Sequence, residues 1–342
     1  MDTPEIHLLS AGSALPGPAV DNAALARRFK MEPLWEQWVD AFIGTRSRHL
    51  AVDLETGVIG HTLADLGTTA ARVALERAAL RAGDIDLLVM ATSTPDALMP
   101  ATVNVVADRL GIDQVPSYQL QSGCSGAVQA LDLARQILLN GRHRTALVIG
   151  GDVVAPFYDV NADLRKLPPA ELVNFVLFGD GAGAAVLSVD PAPGSAALRS
   201  VFTRLVGLGR APGATLEWYG PVERPGKGPA AAEDYKAIEE LVPVMSQDVL
   251  HELLDDLGWR GEDVDYVLPP QLSGRMTTQI FERLGLAGQQ VSCVAETGNI
   301  GNGVVFFQLE RALGRIGPKE RAVGISIESS KWIKAGFALE GV

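Results

Sequence analysis

The chain runs twice through one pattern. Gly83–Ser93 (GDIDLLVMATS) is similar to Glu262–Leu272 (EDVDYVLPPQL), and Ala107–Ile112 (ADRLGI) to Phe281–Leu286 (FERLGL). Ser122–Leu138 (SGCSGAVQALDLARQIL) is similar to Thr297–Leu313 (TGNIGNGVVFFQLERAL). The three pairs keep the same order and stand about 175 residues apart, a regularity that chance rarely produces. The pattern predicts a duplicated α/β unit with two similar halves, 1–195 and 196–342, related by an approximate twofold that sets Cys124 opposite Asn299. Residues 207–240, rich in Gly and Pro, have no partner in the first half and read as an inserted surface loop.

Helical and strand signals alternate within the first half. Apolar spacing predicts helices at Leu63–Leu80, Ala101–Leu110 and Ala127–Leu139, and short apolar runs predict strands at Asp86–Thr92, Tyr118–Gln121, Thr145–Gly150 and Gly181–Val189. A chain of 342 residues, 47% hydrophobic and 20% charged, can bury a large core. Its 29 Lys and Arg against 41 Asp and Glu leave a net charge of -12, which repels phosphate backbones and anionic lipid, so neither nucleic acid nor membrane is an expected partner. Apolar runs such as Val173–Phe178 fall short of the ~20 residues that cross a bilayer. The start, MDTPEIHLLSAG, lacks a basic region followed by an apolar one, and a cytoplasmic location is expected. Two cysteines argue against a disulfide framework and a cysteine zinc site, and no metal is expected.

Cys124 follows a predicted strand and precedes a predicted helix in Gln121-Ser-Gly-Cys-Ser-Gly126. Unsatisfied N–H groups and the dipole at a helix start favour a thiolate, and flanking glycines let a substrate approach closely. The same residue types also suit a small cysteine that fills space at a turn. Cys293, inside the run VSCVA, reads as core.

The Gly-Cys-Ser-Gly turn, Phe178-Gly-Asp-Gly-Ala-Gly-Ala184, Gly298-Asn-Ile-Gly301, Trp38 with Gly44-Thr-Arg-Ser-Arg-His49, and the strand end Ala91-Thr-Ser-Thr-Pro95 together resemble the thiolase superfamily, and within it β-ketoacyl-(acyl carrier protein) synthase III. The resemblance spans essentially the whole chain. It implies a thiolase-like duplicated αβαβα five-layer fold, a homodimer, and an acyl thioester formed on Cys124. It also implies a donor carried as acyl-phosphopantetheine on an acyl carrier protein, or as acyl-CoA, with no bound cofactor. Pro95-Asp-Ala-Leu-Met-Pro100 resembles the strip that crosses the family's dimer interface, which would place Met99 in the partner's acyl pocket, and Trp38 is expected at the carrier site.

Three departures shape the functional expectation. In the family a His and an Asn stabilise the carbanion left when a malonyl thioester loses carbon dioxide. Asn299 matches the Asn, but the His position in Pro269-Pro-Gln-Leu-Ser273 holds Pro270, and none of His7, His49, His61, His143 and His251 lies on a motif that restores an imidazole. Gln271 and Ser273 are the candidate replacement donors, although neither acts as a base near neutral pH. Second, Glu328-Ser-Ser-Lys-Trp332 replaces a glycine-rich oxyanion loop. There Lys331 or Glu328 could supply a charge or a base and Trp332 a substrate contact, or Lys and Glu could face solvent beside a core Trp. Third, Phe42 and Leu172 stand where the family places two coenzyme A arginines, which favours a carrier protein docked at Arg27, Arg28 and Lys30 or at Arg224 and Lys227. The expected activity is an acyltransferase of specialised, polyketide-like metabolism, passing an acyl group through Cys124 to an O, N or C nucleophile of a small-molecule acceptor, with C–C/C–O ring closure as in tetronate formation among the outcomes. A decarboxylative synthase III and a non-catalytic heterodimer partner are the alternatives.

Overall fold

The computed structural model describes residues 5–154, 157, 159–167, 172–217 and 231–342. The duplication is visible strand by strand. The first half supplies β1 (His7–Ala14), a side ladder of β2 (Ala19–Asp21) with β3 (Ser47–His49), then β4 (Leu87–Ala91), β5 (Ser117–Leu120), β6 (Thr145–Asp152) and β7 (Gly181–Ser188). The second supplies β8 (Ala196–Leu205), a ladder of β9 (Ala214–Leu216) with β10 (Ala231–Glu233), then β11 (Tyr266–Leu268), β12 (Gln289–Gln290), β13 (Arg321–Glu328) and β14 (Ile333–Gly341).

In space the halves run β1-β7-β6-β4-β5 and β8-β14-β13-β11-β12. Each starts with two antiparallel pairings and ends with two parallel ones. His7 pairs with Ala197 and Leu8 with Ala196, so β1 and β8 join the halves edge to edge. The strands β4 (LLVMA) and β7 (GAGAAVLS) are buried at every residue, which explains their unbroken apolar or small character: both faces are covered.

Helices cover those faces in three layers. Leu63–Arg77 and Thr102–Leu110 pack outside the first sheet, and Tyr235–Leu257 and Gly274–Leu284 outside the second. Gly126–Leu139 and Val304–Leu313 lie between the sheets, where Leu131, Ala134, Phe306 and Leu309 share one core with strands of both halves. The result is the five-layered αβαβα arrangement implied by the resemblance. The helix predicted at Leu63–Leu80 stops at Arg77, because Ala79 adopts a positive φ.

Two expectations need correction. The inserted loop does not run to 240: the helix begins at Tyr235, capped by the Asp234 side chain, and β9 and β10 pair into a ladder. Residues 218–230, with Arg224 and Lys227, lie outside the described residues. The twofold also pairs Cys124 differently. Counted from the helix starts Gly126 and Val304, Cys124 corresponds to Asn302, since Gly123–Ser125 and Gly301–Gly303 form the same short turn.

Phe306 is fully buried between the sheets, and a Cβ at Gly150 or Gly183 would collide with it, so those strands need glycine there. Phe306→Ala should lower the unfolding free energy by about 3–5 kcal/mol in chemical denaturation. A loss under about 1 kcal/mol would contradict the packing of the central layer.

Candidate active site

Cys124 is the middle residue of the turn Gly123–Ser125, which links β5 to the central helix Gly126–Leu139. Gly123 has φ +57, and a Cβ on it would strike the Glu328 carboxylate, so only glycine fits. Ser326 Oγ donates to the Cys124 carbonyl at 3.0 Å. The Cys124 backbone N–H donates to Glu328 Oε2, and the Ser330 N–H donates to Glu328 Oε1 at 2.6 Å. A cavity of about 40 Å³ opens beside the thiol, walled by Cys124, Pro270, Gln271, Asn299 and Ser326 with Ile325, Ile327 and Val304.

The twofold supplies a twin of the Glu328 contact. Asp152 ends β6 as Glu328 ends β13, and each is 4% exposed. Asp152 Oδ2 accepts the Asn302 N–H at 2.7 Å, and Asn302 holds the place in its turn that Cys124 holds in the other. Gly301, like Gly123, has a positive φ and no room for a Cβ against the carboxylate. The two sites differ in how fully the carboxylate is satisfied. Asp152 also accepts from Asn302 Nδ2, Ser93 N, Thr92 Oγ1 and both the N and Oγ1 of Thr94. Glu328 has the Cys124 amide, the amide and hydroxyl of Ser330, and the thiol itself.

The electrostatics follow from this crowding. Burial first, then the charge of Glu328, pushes the Cys124 thiol well above its usual range, with Asp152 and Glu233 adding to the effect. Burial raises Glu328 against the pull of its Ser330 and Cys124 bonds, and Asp152 raises it further. Glu233, at the end of β10, is raised by burial and by Glu328. The expectation of a thiolate favoured by the helix start therefore does not describe this site, because burial, and after it the nearby carboxylates, outweigh the helix end. Both effects favour the neutral thiol at Cys124. Cys293 is fully buried and pushed up to about 12, mainly by burial.

The remaining candidates divide between pocket and scaffold. Asn299 lines the pocket; its Oδ1 accepts the Gly301 N–H at 3.0 Å, which leaves the Nδ2 donors to offer a substrate. Gln271 also lines it, but its Oε1 accepts from Ser292 Oγ, Cys293 N and Val294 N while Nε2 donates to Pro269 O, so the amide is committed to the start of the helix Val294–Thr297. Ser273 is the N-cap of Gly274–Leu284, accepting from Met276 N, and is not a wall of the pocket. Lys331 is exposed and its Nζ donates to Arg210 O at 2.9 Å, away from the thiol. Trp332 is 2% exposed, packs in the outer core of the second half and donates Nε1 to Ala211 O. Of the Glu328–Trp332 segment, Glu328 is the residue hydrogen-bonded to Cys124. Trp38 stacks on Phe42 at 6.2 Å, and the Arg275 guanidinium sits 5.7 Å over the Phe42 ring, forming an exposed shelf two residues past Ser273. Met99 is 87% exposed and Leu98 77%. No histidine lines the pocket among the described residues. A larger groove of about 1080 Å³, which includes Arg27, Arg28 and Lys30, contains none of the candidate residues around Cys124.

Asp152 and Asn302 escaped sequence reasoning. Their signal was the matching of strand ends and turns between the halves, which becomes readable only once the register of the duplication is fixed.

A thiol at the start of a central helix, facing an Asn from the opposite half of a duplicated five-layer fold, defines a thiolase-like acyl-transferring enzyme. The family model for 3-oxoacyl-[acyl-carrier-protein (ACP)] synthase III matches residues 118–204. The β-ketoacyl-[acyl-carrier-protein] synthase III of Thiobacillus denitrificans is 32% identical over 315 residues, 91% of this chain and 91% of the relative. That of Bradyrhizobium diazoefficiens is 34% identical over 286 residues, 83% of this chain and 82% of the relative. The chain belongs to the β-ketoacyl-[acyl-carrier-protein] synthase III family. Among solved structures, AbyA1, a tetronic acid condensing enzyme, superposes with a TM-score of 0.96 at 68% identity, covering 98% of this chain and 100% of that one. FabH from Pseudomonas aeruginosa superposes with a TM-score of 0.82 at 25% identity, covering 98% of each. No helix among the described residues is long and apolar enough to cross a membrane.

Removing the Glu328 charge should make the thiolate easier to form. Iodoacetamide alkylation of Cys124, followed against pH by peptide mass spectrometry, should show its midpoint moved to lower pH in Glu328→Gln. Cys293 should stay unlabelled until the protein unfolds. An unchanged Cys124 midpoint would show that Glu328 does not act on the thiol.

Proposed function

We propose that this chain condenses two thioester-bound substrates into a tetronate-type ring, using Cys124 to carry one acyl group. The observation that supports it is the 68% identity, over 98% of the chain, to a tetronic acid condensing enzyme. The ring's own chemistry defines the substrates. A five-membered enol lactone of this kind joins a 2-hydroxyacyl unit to a β-ketoacyl thioester through one C–C and one C–O bond. Cys124 takes the 2-hydroxyacyl group, the acidic carbon of the β-ketoacyl thioester attacks that carbonyl, and the freed hydroxyl closes on the second thioester and expels its carrier thiol. Such a carbon is already activated by two carbonyls, so no carbon dioxide need be lost.

The pocket suits that reading. Pro270 offers neither a side-chain donor nor an N–H, and its carbonyl is occupied by Thr277 Oγ1 at 2.8 Å. Asn299 keeps donors for a carbonyl oxygen. A decarboxylative synthase would need more donors than this wall provides, and a non-catalytic partner has no use for a thiol set among bonded groups. The route is one of specialised, polyketide-like metabolism.

Delivery is by an acyl carrier protein. Phe42 and Leu172 offer no charge to the phosphates of coenzyme A, and each charge-assisted bond forgone is worth about 1.5–3 kcal/mol. The Trp38–Phe42 shelf with Arg275 over it presents an apolar, cationic surface to an acidic carrier and its phosphopantetheine arm. The working unit is a homodimer. β5 is an edge strand with Tyr118 exposed, and the start of the helix Thr102–Leu110, next to the exposed Leu98 and Met99, is tied to it by Val103 N–H to Gln119 Oε1. A second copy would cover this edge.

Intact-protein mass spectrometry with a lactyl thioester, the simplest 2-hydroxyacyl donor, should add one lactyl group to the wild type and none to Cys124→Ala. Malonyl decarboxylation should be slower than in relatives with the imidazole by about 10²–10⁴. Label on Cys293, or rapid malonyl decarboxylation, would contradict the assignment. Lactyl transfer should also be faster from a carrier protein than from coenzyme A, and light scattering should find a dimer. Equal transfer from both donors would remove the carrier's role, and a monomer would remove that of Met99.

A further inference from the structure

We propose that the Glu328 carboxylate is the proton-transfer group of this enzyme, standing in for the absent imidazole; the proposal rests on Cys124 being the acyl acceptor, as argued above. Three features of the structure carry it. Among the described residues, Glu328 is the carboxylate hydrogen-bonded to Cys124, through the backbone N–H and against the thiol. It occupies the position by design of the duplication, since Asp152 makes the same contact to Asn302 across the twofold. It also differs from its twin in the way a base must. Asp152 is held by six donors from Thr92, Ser93, Thr94 and Asn302 and has no lone pair to spare for chemistry, whereas Glu328 accepts from the Cys124 amide and from the amide and hydroxyl of Ser330, and its remaining partner is the thiol itself. Fewer donors leave a more basic carboxylate.

The step balances. As the thiol sulfur bonds to the thioester carbonyl carbon, its proton passes to Glu328. When the tetrahedral species collapses, the carrier's sulfur leaves and takes that proton, giving acyl-Cys124, free carrier thiol and the carboxylate again. In the second stage Glu328 accepts the proton of the acidic carbon as it attacks the acyl group, and returns it to the departing Cys124 sulfur. Protonation does a second thing. The Cys124 N–H is bound to a charged acceptor while Glu328 is a carboxylate, and that bond weakens when the carboxyl is neutral. Proton uptake therefore frees the same N–H for the oxyanion at the moment the oxyanion forms.

The groups that face Glu328 are Cys124 on its turn, Asp152 at the end of β6 and Glu233 at the end of β10. Burial first, and then the charge of Asp152, disfavours its charged form, which keeps it a stronger base than a solvated Glu, and Glu328 in turn raises Glu233.

The test is single-turnover acylation by lactyl-N-acetylcysteamine, read by intact mass across a range of pH, in the wild type, Glu328→Gln and Glu328→Asp. The wild-type rate should rise with pH through the titration of one carboxyl group and then level off. Glu328→Gln should be slower by about 10²–10⁴ at neutral pH, with a rate that keeps rising with hydroxide concentration, even though its thiol is alkylated more readily. Glu328→Asp should recover part of the rate and the levelling. A merely structural carboxylate would leave the pH profile unchanged in Glu328→Gln, and a merely repulsive one would make acylation faster along with alkylation; either result overturns the proposal. Wild-type protein that forms no acyl-Cys124 would instead overturn the proposed function on which it rests.

Discussion

Two buried carboxylates crossing between the halves hold the centre of this molecule. Burying a charge is costly unless hydrogen bonds repay it, and here each carboxylate ends a strand in one half and caps a turn in the other. Asp152 ties Ser93 and Thr94, just past β4, to the Asn302 turn of the second half. Glu328 ties β13 to the Cys124 turn of the first. The two central helices start at those turns, so their placement between the sheets, and with it the aim of the thiol, depends on the pair.

The same device serves two ends. In the first half it is saturated: a shorter side chain, six donors and an Asn in place of the thiol make a rigid joint. In the second it has fewer donors and lies next to a cysteine, where burial raises the carboxylate, and burial together with that carboxylate's charge raises the thiol.

The duplication was legible in the sequence because its three matching segments fall on β4 with β11, on the outer helices Thr102–Leu110 and Gly274–Leu284, and on the two central helices. The turn that carries Cys124 between a strand and a central helix was legible from the glycines around it. What failed to show was which polar residues serve the fold. Gln271, Ser273 and Trp332 look like site residues beside Pro270 and Glu328, yet a helix start, an N-cap and a loop carbonyl claim their hydrogen bonds. Those claims come from Ser292–Val294, Met276 and Ala211, and for Trp332 the partner is remote in sequence. The electrostatic sign at Cys124 was hidden for the same reason: the helix start is local and readable, whereas Glu328 arrives from 204 residues away. A slip of three residues in aligning SGCSGAV with TGNIGNGV paired Cys124 with Asn299 and so concealed Asn302 and Asp152.

The central claim is that one N–H serves Glu328 at rest and the acyl oxygen during reaction. A crystal structure of the acyl-Cys124 enzyme tests it most directly. In it the acyl carbonyl oxygen should lie about 2.7–3.2 Å from the Cys124 N, with the Glu328 carboxyl displaced from that N–H yet still facing the thioester sulfur. A structure in which Glu328 keeps the Cys124 N–H while the acyl oxygen points elsewhere would contradict it.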